Sequence, residues 1–80
     1  MAAPILYYWA PCPTCSIVTH FAAENGIELD KRDIEQQEPY DELLALGGDE
    51  NLIPYLYDGE TLVQGNDAVM DYLKAHYLNA

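Results

Sequence analysis

Eighty residues allow one small domain, expected over 1–80, and exclude a large core; chains of this size often lean on cross-links. Half of the residues are hydrophobic, which argues against a disordered chain. The formal charge is −11, with Lys31, Arg32 and Lys74 the only strong bases against fourteen acids, so the surface repels nucleic acid and anionic membranes. It suits a basic partner, or simply keeps the protein in solution.

The opening "MAAPILYYWAP" is apolar but has no basic start, and no run is long enough to span a bilayer. A cytoplasmic protein is expected, where lasting disulfides are rare. "PILYYW" is β-rich and uninterrupted, as a central strand buried on both faces would be. Pro13 then fits the first turn of a helix, where its missing N–H costs nothing. Ile17, Val18, Phe21 and Ala22 follow at helical spacing and "NG" at 25–26 ends the run, giving a helix over about 13–24.

"IELDKRDI" reads as a second strand in which Ile27 and Leu29 alternate before Lys31 and Arg32 interrupt. Pro39 begins a second helix with apolar positions Tyr40, Leu43, Leu44 and Leu46, broken by "GGDEN". "LIPYLYD" is a strand that tolerates a proline at its start, "DGE" a hairpin turn, and "TLVQG" the returning strand. Asn66 or Asp67 caps the last helix, whose inner face is Val69, Met70, Leu73 and Tyr77. The order is βαβαββα. A right-handed crossover makes the first two strands parallel, and the tight turn makes the last two antiparallel. The expected architecture is α/β, a four-stranded mixed sheet flanked by three helices, with chemistry at the carboxyl ends of the parallel strands.

Cys12 lies just past the first strand, where the first helix begins, and Cys15 one turn further in. The unpaired N–H groups and dipole of a helix start favour a thiolate, and the Cys15 S–H can donate toward the Cys12 sulfur. The Cys12 thiol is expected below the free value of roughly 8.5, within about 3.5–7.5. Cys12 is then the nucleophile that forms a mixed disulfide, and Cys15 the thiol that resolves it. A structural staple over so short a loop would constrain little of the unfolded chain. Structural zinc would need four ligands, and His20 and His76 do not form a ligand-like pair, so no metal site is assigned. Tyr8 and Trp9 are read as core and rim packing rather than substrate contacts.

A C-P-T-C motif after the first strand of a short βαβαββα chain resembles the thioredoxin superfamily, and within it the glutaredoxins. "LIPYL" is similar to that family's strand opening with a cis-proline, here Pro54, and "GND" at 65–67 to the turn that opens its last helix. The resemblance spans the chain and implies a thioredoxin-like fold and dithiol–disulfide exchange. Catalysis would fall to Cys12 and Cys15. The backbone of Ile53 before Pro54 would pair with a substrate peptide or with glutathione. Gly65, Asn66 and Asp67 would hold the γ-glutamyl end of glutathione, its carboxylate on helix N–H groups and its ammonium on Asp67.

It further implies a monomer without a bound cofactor. Disulfide-bearing proteins would be its substrates, and glutathione or thioredoxin reductase its electron donor. Three positions depart from the pattern: Trp9 replaces a lysine that would bind a glutathione carboxylate, Leu52 replaces a threonine, and Arg32 stands where the second strand is usually apolar. Arg32 is expected to lay its stem on the sheet with its head in water. "GNDAVMDYL" is also similar to the last helix of the amino-terminal domain of glutathione transferases, which a helical domain normally follows. A binding module that uses the cysteines for metal or partner docking is the alternative function.

Overall fold

The computed structural model describes residues 3–77; residues 1, 2 and 78–80 of the expected 1–80 domain lie outside it. The elements follow as β1 (Ile5–Tyr8), α1 (Pro13–Glu24), β2 (Asp30–Asp33), α2 (Gln37–Ala45), a 3-10 turn (Glu50–Leu52), β3 (Tyr55–Tyr57), β4 (Leu62–Gln64) and α3 (Asn66–His76). The sheet order is β2-β1-β3-β4, with β1 parallel to β2 and antiparallel to β3, and β3 antiparallel to β4. This is the expected four-stranded mixed α/β sheet, its strands and α-helices following the expected chain order βαβαββα.

Alternation along the central strands sorts the core into two layers. Leu6 and Leu56 are fully buried on one face with Val18 of α1 and Val69 and Leu73 of α3. Tyr7 and Tyr55 point to the other face and meet Leu43 of α2. The site therefore sits on a sheet braced from both sides.

The start and stop of α1 follow from its sequence. Cys12 is the N-cap in extended conformation, Pro13 opens the helix, and Asn25 is the C-cap. Gly26, at φ 67°, then reverses the chain. Its N–H bonds the Ala23 carbonyl and the Ile27 N–H bonds the Ala22 carbonyl, the two bonds of a Schellman ending.

Several expectations are corrected. The second strand is the charged stretch "DKRD" alone; Ile27 and Leu29 precede it and pack into the core. An edge strand needs no apolar face on its outer side, so alternation was the wrong guide. The Arg32 side chain, 34% exposed, also carries its head into two ion pairs: Nη1 lies 2.7 Å from Glu42 Oε1 and Nη2 2.9 Å from Asp30 Oδ2, tying β2 to α2. Helix α2 begins at Gln37, two residues before Pro39, because a proline within the first turn removes no intrahelical bond. The 3-10 turn was not foreseen; the Asp49 carboxylate accepts the Asn51 N–H at 2.9 Å and opens it.

Neither Asn66 nor Asp67 caps α3. The N-cap is Gly65, at φ 98°, and no side chain caps the helix. Ile17 and Leu44, placed on inner faces by spacing, are about half exposed, at 50% and 45%. On α3, Val69 and Leu73 are buried as expected, with Met70 and Tyr77 packed beside them.

Candidate active site

The carboxyl end of β1 leads straight into the two cysteines. The Cys12 N–H donates to the Trp9 carbonyl at 2.9 Å, and the Cys12 carbonyl accepts the Ser16 N–H at 3.2 Å, so the residue is fixed where the helix begins. Its side chain is partly exposed, whereas Cys15, on the inner face of α1, is 1% exposed. Both thiols are free.

Their acidities diverge. Burial alone would raise the Cys12 thiol. Hydrogen bonds from the Thr14 hydroxyl, from the N–H and S–H of Cys15 and from the Thr14 N–H outweigh that and hold it below its ordinary value. The Thr14 oxygen lies 3.1 Å from the Cys12 sulfur. Cys15 is pushed up to about 11 by burial; a bond from the Trp9 backbone opposes this, while the Cys12 and Asp33 charges add to it. One thiol is thus poised to ionise and its neighbour to keep its proton.

The Ile53–Pro54 bond is cis, as the family pattern had it, and Pro54 is buried. The register places this segment beside the cysteines. Tyr7 pairs with Tyr55 at the end of the ladder, and just past it Trp9 and Ile53 line one cavity. Pro54 is joined in turn to the start of α3, because the Gly65 N–H donates to the Pro54 carbonyl at 3.0 Å. Asn66 follows with a buried side-chain oxygen that has no hydrogen-bond partner, and Asp67 is exposed. The two halves of the expected site, 12–15 and 53–54 with 65–67, therefore meet around Trp9 and Ile53, with Pro54 bonded to Gly65.

Residues with no assigned role also belong here. Thr14, inside the motif, supports the Cys12 sulfur through its hydroxyl; its place between the cysteines was the available signal. Trp9 is a rim residue, 41% exposed. With Ile34, Glu35, Tyr40, Glu50 and Ile53 it lines a cavity of about 360 Å³. Nothing in the linear order announces that cavity, since its walls come from separate segments. Among the described residues, no group of three His, Cys, Asp or Glu side chains converges as a metal site, and no helix is long and apolar enough to cross a membrane.

A helix-capping Cys-x-x-Cys beside a cis-proline, on a four-stranded sheet ordered β2-β1-β3-β4, defines the thioredoxin-like class of domains. The family described as glutathione S-transferase, N-terminal domain, matches residues 6–79, and the chain belongs to that family. Among solved structures, a glutaredoxin from Brucella melitensis, determined in solution, is similar over 98% of this chain and 85% of its own, with a TM-score of 0.68 at 24% identity. No curated protein matches the chain. The chain thus shares with that glutaredoxin the thioredoxin-like fold.

Proposed function

We propose that the protein is a dithiol–disulfide oxidoreductase that reduces protein disulfides or glutathione mixed disulfides. The observation that carries this reading is the asymmetry of the cysteine pair: Cys12 partly exposed with a lowered thiol, Cys15 buried with a raised one. The Cys12 thiolate attacks a substrate disulfide, forms an S–S bond with one half and expels the other as a thiolate. That thiolate takes up a proton, from solvent or from Cys15. The Cys15 thiolate then attacks the Cys12 sulfur, closes the Cys12–Cys15 bond and expels the second thiolate. The substrate gains two electrons and the protein loses two. Glutathione or thioredoxin reductase returns them.

In this reading the Ile53 backbone, next to Pro54, pairs with the extended substrate. Gly65, Asn66 and Asp67 receive the polar end of glutathione, where the unpartnered Asn66 oxygen offers an acceptor and the first N–H groups of α3 offer donors. A cytoplasmic, reducing compartment would keep the pair in its working state.

The test supplies oxidised substrate, once as a glutathione mixed disulfide and once as a protein disulfide, with each reductase system in turn. Turnover that vanishes in Cys12→Ser supports the reading. Absence of turnover with every combination overturns it, and stoichiometric zinc in the purified protein would then favour a binding module. Conjugation of glutathione to an electrophile, unaffected by Cys12→Ser, would instead make the domain a transferase.

A further inference from the structure

The cavity beside the cysteine pair is chemically distinctive. Its lining residues include the aromatic Trp9 and Tyr40 and the acidic Glu35 and Glu50. Trp9 holds the Cys12 N–H through its carbonyl, so the cavity begins one residue contact from the nucleophile. Ile53, which precedes the cis-proline, forms another part of the wall. A polypeptide laid along Ile53 with its sulfur at Cys12 would therefore place a neighbouring side chain in this space.

The charge in the cavity is uncompensated among the described residues. Arg32 is committed to Asp30 and Glu42. Lys74 sits 5.9 Å from the centroid of the Phe21 ring, and Lys31 lines a separate hollow with Thr19 and Ile27. These are the three strong bases of the chain, and none reaches Glu35 or Glu50. Glu50 is also held in place, since the Tyr40 hydroxyl donates to its Oε1 at 2.6 Å. Two carboxylates and two aromatic rings around one small space attract a cation through both Coulomb and cation–π terms. An anionic side chain would meet only like charge.

We infer that this cavity is a subsite for the lysine or arginine side chain that flanks the disulfide of a polypeptide substrate. The inference rests on the disulfide-exchange reading and adds the substrate class: proteins whose reactive cysteine has a basic neighbour. Electrostatic complementarity of this kind sets partner choice and encounter rate more than final affinity.

The test separates binding from exchange. Trp9 is the chain's single tryptophan, so its fluorescence reports the cavity directly. The reduced, full-length protein is titrated with blocked pentapeptides that carry arginine, or glutamate, on both sides of a central serine. No thiol is present, so no exchange contributes. The arginine peptide should give a saturable change and the glutamate peptide none.

Glu35→Gln combined with Glu50→Gln should weaken the arginine peptide about tenfold, the scale of two exposed charge contacts. In the unaltered protein, raising salt from about 0.02 to 0.5 M should weaken it in the same direction, which guards against a folding defect in the variant. An equal response to both peptides, or none to arginine, overturns the subsite. In the corresponding cysteine disulfides, Cys12-dependent exchange with no preference for arginine also overturns it. Arginine-selective binding without any exchange would keep the cation subsite and refute the oxidoreductase reading.

Discussion

Alkylation provides a quantitative handle on the two thiols. The Cys12 thiol lies below its ordinary 9.0 and Cys15 at about 11, a separation of more than two pH units. Around neutrality, Cys12 therefore holds more than roughly a hundredfold the thiolate population of Cys15. Nucleophilicity falls with acidity, with a Brønsted coefficient of about 0.4–0.5, which takes back roughly tenfold. Acid–base chemistry alone thus leaves Cys12 at least about tenfold faster. The burial of Cys15, 1% exposed, widens the gap further.

The assay is limiting iodoacetamide on the reduced protein near pH 7, with the labelled cysteine located by peptide mass mapping. It is repeated against pH in Cys15→Ser to obtain the Cys12 midpoint alone. Thr14→Val removes the hydroxyl 3.1 Å from the sulfur and should move that midpoint upward. Comparable labelling of both cysteines, or a Cys12 midpoint at or above 9.0, would show that neither Thr14 nor the helix start governs the sulfur.

Three other outcomes are expected. In Cys15→Ser, a disulfide substrate should release one thiol equivalent and leave a stable adduct on Cys12, visible by intact mass; release of both equivalents would remove Cys15 from its resolving role. Leu56→Ala, at a fully buried position of β3, should cost about 3 kcal/mol of the roughly 4–12 available to a domain this size. Its melting temperature should fall by roughly 15–20 °C by calorimetry. The Asp58 carboxyl is held down at about 2, chiefly by the Tyr72 hydroxyl and then by the Thr61 and Glu60 N–H groups of the hairpin. Its folded value is depressed, so its contribution is complete above the ordinary 3.8 and fades as pH falls toward 2. Asp58→Asn should flatten the acid limb of the melting profile, and an unchanged limb would refute the assignment.

Legibility in the sequence followed the kind of signal. Local punctuation read well: Pro13, Asn25–Gly26 and the Asp58–Gly59 turn each act through their own backbone, so a single chain position carries the information. The cysteine pair read well for the same reason, since a helix start and a one-turn spacing decide its chemistry. Spacing failed where tertiary neighbours decide burial. Ile17 and Leu44 have the helical phase of core residues, yet no layer covers them. The charged β2 lacked any apolar signature, because Arg32 is satisfied by pairing with Glu42 of α2 and Asp30 of its own strand rather than by burial. Tyr7 shows the same coupling: its hydroxyl donates to Glu42, and burial with that carboxylate pushes it up to about 12. The cavity was illegible because Trp9, Glu35, Tyr40 and Glu50 meet only after the sheet is assembled.

The outer rim of the sheet at Asp30–Asp33 carries four consecutive formal charges, "DKRD", beside the parallel pairing with β1. A strand from another molecule attempting to extend the sheet there would lie beside an unbroken run of charges with no apolar side chain to pack against. The feature that disguised this segment in the sequence thereby acts as a guard against fibre-like stacking, and a crowded solution would find that rim a poor template for growth.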